Sequence, residues 1–323
     1  MLYLFIMKNK YFITTAIPYI NAEAHIGHAQ EFLLVDTFKR VLKKQGKSVL
    51  LQSGTDDNSL KNIIAAKEKN IHLETYVKDQ GEKFKSLLSK LNIDTDLFVQ
   101  TSSPKHHKAV SNFIKNLNQE DLYEGTYTGL YCVGCEDFLK KEDLNDKGEC
   151  PDHQKKPQEI QESNIFFKLS KYQDKLVDLI ESDTVKIYPL SKKKEIVNFI
   201  KKGLTDISIS RPIKDQAWGV PFPGKEDHTV YVWIDALINY ISEIGYGSGD
   251  EWKKVWDESH IIHVIGKNVW KFHAIYWVAL LLSARIKTPD EIVIHGFLTN
   301  NGVKISKSLG NVINPLDLLE KYD

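Results

Sequence analysis

The 323-residue chain predicts an α/β fold: a doubly wound, Rossmann-like parallel sheet split by an inserted domain. Three observations carry that prediction. Apolar strand-like runs alternate with helical periodicity from about residue 10 to 110, and the alternation resumes near Tyr231. Polar corners containing glycine close several of those runs, where such sheets bind ligands. Between the two halves, residues 111–228 change texture, becoming Lys- and Glu-rich and carrying every cysteine. The expected boundaries are 7–110, 111–228 with a cysteine lobe at about 128–156, 229–310, and a last stretch 311–323.

Tyr11–Ala16 reads as the first strand, ended by Pro18. A polar loop leads to His25-Ile26-Gly27-His28 and then to a helix with Phe32, Leu34, Val35, Phe38, Val41 and Leu42 near a 3.6 period, closed by Gly46. Free N–H groups and the helix dipole at such a junction favour an anion. Gly27 admits a ligand close to the backbone, and the His25 and His28 imidazoles can donate to phosphate oxygens. Ser48–Gln52 is a second strand, ending at Gly54-Thr55-Asp56-Asp57-Asn58. Helices over about 59–69 and 73–91 and a short strand at Leu97–Val99 follow.

Beyond the insertion, Ile261–Gly266 is a strand ending in Gly266-Lys267-Asn268, followed by a helix over about 269–284 and a strand at Ile292–Ile294. The loop Asn301–Asn311 then presents Lys304 and Lys307 among serines and glycines, as point charges suited to a polyphosphate. Asn314-Pro315 opens a last helix that stops at Asp323, so truncation of a longer chain is expected. Met7 begins an ordinary-looking start, which makes residues 1–6 an upstream extension.

Formal net charge is zero, so any nucleic-acid surface must be local. Lys192–Lys194 and Lys201–Lys202 are candidate patches, although a solvated helix face is the stronger reading of either alone. No run is long enough to span a membrane. The three cysteines fall as Cys132-x2-Cys135 and, with His153, Cys150-x2-His153. An odd number at metal-ligand spacing argues against a disulfide framework and for a cytoplasmic chain. A Cys₃His set suits tetrahedral Zn²⁺ in a closed, structural site.

HxGH upstream and Lys304-Ile305-Ser306-Lys307-Ser308 downstream, in this order, resemble the two signatures of the class I aminoacyl-tRNA synthetases. Ala16–Asn21, Gly54-Thr55-Asp56, Trp218–Pro221, Tyr231–Tyr240, Gly266-Lys267-Asn268, Phe272–Trp277 and His295-Gly296-Phe297 together resemble the methionyl branch, of the form with a single-zinc connective insertion. The chemistry agrees: a thioether suits an apolar, polarisable pocket, and Tyr19, Trp233, Tyr240, Phe272 and Trp277 are candidates to build it. For Trp277 core packing is an equal alternative. One carboxylate must meet the substrate ammonium, and Asp56 competes with Asp57.

The resemblance implies substrate binding by Tyr19, Asp56, Trp233, Tyr240, His273 and Trp277. It implies ATP binding by His25, Gly27, His28, Gly266, Lys267, Asn268, Lys304 and Lys307, with His25, His28, Lys304 and Lys307 catalytic. Its implied ligands and partners are L-methionine, ATP with Mg²⁺, structural Zn²⁺ on Cys132, Cys135, Cys150 and His153, and tRNA(Met). It also implies a C-terminal anticodon-binding domain that the chain as given lacks. Alternatives are a cysteinyl, leucyl, isoleucyl or valyl enzyme, a non-catalytic tRNA-binding paralogue, and a nucleotidyltransferase adenylating a small acid. Four departures from the pattern stand out: Ala24 for Pro, Asp57-Asn58-Ser59 for Glu-His-Gly, Asn268 for Asp, and Ile305 for Met.

Overall fold

The computed structural model describes residues 9–135, 137–139, 141–151, 154–213, 218–300, 303–305 and 312–322. Along the chain run β1 (Lys10–Thr15), α1 (Ile26–Lys44), β2 (Ser48–Thr55), α2 (Leu60–Glu68), α3 (Leu73–Lys90), β3 (Leu97–Gln100) and α4 (Pro104–Asn116). The middle adds β4 (Leu122–Cys132), β5 (Asp137–Leu139), β6 (Gln158–Phe167), α5 (Gln173–Glu181), β7 (Lys186–Tyr188), α6 (Leu190–Lys201), β8 (Ile207–Ser208) and β9 (Ser210–Pro212). Then come β10 (His228–Val230), α7 (Val232–Leu237), α8 (Asn239–Ser242), α9 (Trp252–Trp256) and β11 (His260–Gly266). A π-helical turn, Phe272–Trp277, runs into α10 (Val278–Ser283), followed by β12 (Glu291–His295), β13 (Thr299–Asn300), β14 (Val303–Lys304) and α11 (Pro315–Lys321).

The central sheet is six-stranded and parallel, in the order β3-β2-β1-β11-β12-β7. Its inner strands are covered on both faces, which is why they read as runs of apolar and β-branched residues rather than alternations. Phe12, Ile13, Val264 and Ile265 are wholly buried. The chain winds outward from β1 through β2 to β3, then returns to β11 on the other side. The β1–β11 boundary is therefore the switch point, where the carboxyl ends of neighbouring strands splay and leave a crevice.

α1 packs Ala29, Phe32, Val35 and Lys39 against the sheet and ends with Gly46 at φ 77°, the left-handed position a helix C-terminus favours. Lys39 is buried because its ammonium meets the Asp96 carboxylate at 2.7 Å and the Asp94 carbonyl at 2.5 Å.

The segment 111–228, expected to stand apart as one insertion, does not do so throughout. β7 pairs in parallel with β12 and forms the edge of the central sheet. What projects is an antiparallel sheet, β5-β4-β6-β8, with β4 and β6 paired from Leu122–Phe167 up to Tyr131–Gln158. Its base is apolar, with Ile165, Phe166 and Phe167 buried. Near the tip, among described residues 132–156, the buried ones are Cys132 and Cys150. Asp121 fastens the base to the core by accepting from Lys171 Nζ, Tyr172 Oη and Ser283 Oγ at 2.5, 2.5 and 2.8 Å. Among the described residues no helix is long and apolar enough to cross a membrane.

Candidate active site

The crevice is floored by the start of α1. His25 is its N-cap, and its Nδ1 accepts the Gly27 N–H at 3.1 Å while its own N–H donates to His28 Nδ1 at 3.1 Å. The two imidazoles stack at 3.9 Å. A Cβ on Gly27 would lie 2.9 Å from His25 Cε1, so a side chain there would push the ring off its stack.

The expectation of free N–H groups at this turn needs correction. Ile26 N–H donates to Ile313 O at 3.0 Å, Gly27 N–H to His25, and His28 N–H to His25 O at 2.8 Å. What remains for an anion is the helix dipole and the two imidazoles. The Ile26–Ile313 bond also brings the segment after the lysine loop onto α1. Within the loop, Ile305 is buried and its N–H donates to Leu298 O at 3.3 Å. The chain after the lysine loop is thus placed beside the crevice. Lys304 is described by its backbone in β14, and Lys307 lies outside the described residues.

On the other side of the switch point is a buried aromatic and imidazole cluster. His273 Nδ1 donates to Val269 O at 2.9 Å, which leaves Nε2 as an acceptor for the Tyr240 hydroxyl at 2.6 Å. His263 Nε2 accepts the Trp277 indole N–H at 3.2 Å, so its Nδ1 carries the proton and donates to Thr14 Oγ1 at 2.7 Å. Burial lowers the His273 pKa to about 4 and His263 well below the usual imidazole range. Burial likewise holds the Tyr240 phenol up. Near neutral pH the cluster is uncharged.

Tyr240 lies face to face with His263 at 4.1 Å, and Trp277 is wholly buried against Phe113, Tyr240 and Trp256. Trp233 stacks on Phe272 at 3.7 Å and meets Tyr19 edge-on at 6.0 Å. The π-helical turn places Phe272, His273 and Trp277 together on this wall, and π turns are frequent at functional sites.

Asp56 and Asp57 separate cleanly. Asp56 closes β2, pairs its backbone with Tyr19, and accepts the Asn58 N–H at 3.3 Å. The Asp57 carboxylate turns to Ser102, accepting from its Oγ at 2.6 Å and its N–H at 3.2 Å, and burial raises its pKa to about 6. The Asp57 carboxylate is thus committed to Ser102, while the Asp56 backbone lies beside Tyr19.

The departures from the synthetase pattern have partners. Asn58 Nδ2 donates to Asp235 Oδ2 at 2.8 Å and Thr101 O at 3.0 Å, and Ser59 caps α2. His106 bridges Asp235 and Ser242 at 2.9 and 2.8 Å, all three buried. At the end of β11, a Cβ on Gly266 would sit 3.1 Å from Asn268 Oδ1, and the Lys267 ammonium lies 4.6 Å over the Phe297 ring.

Sequence reasoning gave no role to Glu31, His263 or Lys61. Glu31, one turn beyond His28, accepts from Ala16 N–H at 2.8 Å and meets His295 Nε2 at 2.7 Å. It ties the end of β1, α1 and the end of β12 into one frame. Burial raises the Glu31 pKa; burial also opposes charge on His295, and the Glu31 bond outweighs it, holding that imidazole above its usual value. Lys61 sits 4.0 Å over the Tyr19 ring. Glu31's i+3 spacing from His28 was the available signal; nothing local marked His263.

In the projecting lobe, the sulfurs of Cys132, Cys135 and Cys150 lie within 4.8 Å of one another, and all three are free of disulfides. Cys135 N–H donates to Cys132 Sγ at 3.4 Å. Burial and the neighbouring thiols push the Cys135 thiol up, so charged thiolates are disfavoured here unless a cation joins them. Three soft donors converging on one point fit a metal ion. His153 lies outside the described residues. The Lys192, Lys193 and Lys201 ammoniums pair with Glu195, Asp183 and Glu181, which is the solvated-face reading of that basic run.

A doubly wound sheet with an HxGH turn at its switch point, and the chain beyond a lysine-rich segment bonded to that turn through Ile313, is the architecture of class I tRNA synthetases. The family model described as tRNA synthetases class I (M) matches residues 11–162 and 152–323, and the chain belongs to that family. Its relatives include the methionine–tRNA ligase of Fusobacterium nucleatum, 39% identical over 98% of this chain and 50% of that protein. The Rickettsia prowazekii methionine–tRNA ligase is 40% identical over 98% of this chain and 62% of its own length. Mycobacterium tuberculosis methionyl-tRNA synthetase, solved in complex with methionyl-adenylate, superposes with a TM-score of 0.90 at 35% identity, covering 97% of this chain and 62% of that one. The chain thus spans between half and about three-fifths of the length of these relatives.

Proposed function

We propose that the chain activates L-methionine with ATP to methionyl-adenylate and passes the methionyl group to tRNA(Met). One observation supports this reading most directly: a neutral, buried Tyr240–His273 pair next to Phe272, on which Trp233 stacks. Such a wall accepts a thioether and offers nothing to a charged side chain. Asp56 takes the ammonium, with Tyr19 beside it.

In the first step a carboxylate oxygen of methionine forms a bond to the α-phosphorus of ATP, and the bond to pyrophosphate breaks. A carboxylate is already a nucleophile at pH 7, so no general base is needed. Catalysis then rests on positioning and on stabilising charge on the moving phosphates. His25 and His28 at the α1 N-terminus and Lys304 and Lys307 on the loop supply that charge. Gly266, Lys267 and Asn268 line the ribose and adenine side. Mg²⁺ enters with the nucleotide as part of the substrate. In the second step a hydroxyl of the terminal tRNA ribose attacks the methionyl carbonyl and AMP leaves.

Cys132, Cys135 and Cys150, with His153 as the expected fourth ligand, would hold Zn²⁺, which supplies a structural crosslink to the lobe. Amino-acid-dependent pyrophosphate exchange with each of the twenty amino acids tests the reading. Exchange with methionine alone is expected. Exchange driven by cysteine, leucine, isoleucine or valine instead, or by none, would overturn it.

A further inference from the structure

The cysteine lobe touches the aromatic wall of the site at a defined point. Trp233 Nε1–H donates to the backbone carbonyl of Cys135 at 3.1 Å. Cys135 is itself a member of the three-thiol cluster. The Trp233 indole is therefore held at two places: its face rests on Phe272 at 3.7 Å, and its edge hangs from the lobe. A stacked indole with no edge contact is still free to slide and turn in its plane. The hydrogen bond removes that freedom and fixes where its ring edge lies relative to Tyr19.

A second bridge runs in parallel. The Arg211 guanidinium lies 4.0 Å over the ring of Tyr231, the residue before α7, and 5.9 Å from the ring of Tyr131, the residue before Cys132. Arg211 is anchored by Ser208 Oγ at 2.7 Å and Ser210 O at 2.8 Å. The lobe thus meets both ends of the short segment 231–233, at Tyr231 through Arg211 and at Trp233 through Cys135.

We propose that Trp233 is a positioning residue through which metal occupancy of the cysteine lobe sets the affinity for methionine. This rests on the reading of the aromatic wall as the methionine pocket and of the thiol cluster as a metal site. With the metal bound, the Cys135 carbonyl is held in place by its own ligating thiolate, and the indole is pinned. Without it, the knuckle around Cys135 relaxes, the carbonyl moves, and the indole loses its edge contact while keeping its stack. The effect falls on methionine binding, because the phosphate-binding groups His25 and His28 stand on a different element.

Trp233→Phe tests this, since phenylalanine keeps the stack on Phe272 and removes the donor. Methionine dissociation constants are measured calorimetrically on the full chain, wild type and variant, with metal bound and after exhaustive chelation. Metal content is read by elemental analysis and folding by circular dichroism. In the wild type, chelation should weaken methionine binding roughly five- to tenfold, the size of one neutral hydrogen bond. Trp233→Phe should show a similar loss with metal present and little further loss on chelation. Because the variant could fold differently, the indole ¹⁵N–¹H resonance of wild-type Trp233, assigned by its absence from the variant, should shift when Zn²⁺ is returned to stripped protein. Equal metal dependence in wild type and variant, or an unmoved indole resonance, would overturn the proposal while leaving the metal site and the methionine pocket standing. A protein that holds no metal, or binds no methionine, would overturn the underlying reading and the proposal with it.

Discussion

At the carboxyl edge of the parallel sheet, Tyr240, His263, His273 and Trp277 are each 3% exposed or less, and each polar group described there has a buried partner. At the tip of the projecting lobe, exposed Lys, Glu and Asp predominate from 141 to 149, and the buried residues are two cysteines. The first region is held by burial and hydrogen bonds that form when the sheet forms. The second has too few apolar side chains to repay the entropy of ordering it, and three converging thiols stand where a core would be. The two kinds of structure meet at Trp233, whose indole N–H donates to the Cys135 carbonyl.

Metal removal should separate the two regions most sharply. Structural zinc supplies on the order of 10 kcal/mol in small zinc modules, so chelation should unfold the lobe tip outright. Hydrogen exchange after chelation should lose protection over residues 130–151 while β1 and β11 keep theirs. Equal retention in both regions would show that the tip folds without metal.

Arg211 joins lobe and core from a buried position, 4.0 Å from the likewise buried Glu162. Arg211→Met keeps much of the volume and strands that carboxylate, so it should cost about 3–5 kcal/mol in denaturant unfolding. A loss under about 1 kcal/mol would mean that water reaches Glu162.

The lysine loop is the other appended part. Lys307→Ala should lower single-turnover adenylation roughly 10²–10³-fold, by analogy with removing one oxyanion donor, with much less effect on methionine affinity. An unchanged rate would make the loop ordinary surface.

Inside the sheet-borne region, Asp57 offers a pH test. Its folded pKa of about 6 lies above the usual carboxylate value. The neutral form is favoured in the folded chain, so the group's contribution is fully present below the unfolded pKa and is lost as pH rises through about 6. The change amounts to roughly 2–3 kcal/mol between about pH 4 and 6. Asp57→Asn should flatten that stretch of the stability profile; an unchanged slope would place the titration elsewhere.

The same contrast explains what was legible in the sequence. The HxGH turn, Gly54-Thr55-Asp56 and Gly266-Lys267-Asn268 announce themselves because strand ends need polar corners with glycine, a local requirement. The thiol cluster is legible because ligand spacing is local too. His263 was not, since its neutral tautomer is set by Thr14 on a neighbouring strand and Trp277 on the following helix. Nor was β7: three residues in a Lys-rich segment carry no mark of the strand they pair with. That Asp57 turns to Ser102 was not legible either, because Ser102 lies far along the chain. The free N–H groups expected at α1 were wrong for the same reason, because Ile313 arrives from the other end of the sequence.

The smallest effect concerns what does not hold the lobe in place. Lys225, in the turn before β10, meets Glu124 of β4 at 2.7 Å, well within ion-pair distance. Its carboxylate partner is 64% exposed. In that setting the Coulomb gain is screened, and ordering two long side chains offsets much of what remains, so exposed pairs contribute about 0–1 kcal/mol. Arg211 differs in burial, and burial is what turns a missing partner into a stranded charge. Lys225→Ala should therefore shift unfolding by under about 0.5 kcal/mol and leave the exchange protection of β4 unchanged. If it cost as much as Arg211→Met, attachment of the lobe would rest on surface charge, and raising the salt concentration should then loosen it; if buried contacts hold it, salt should have little effect.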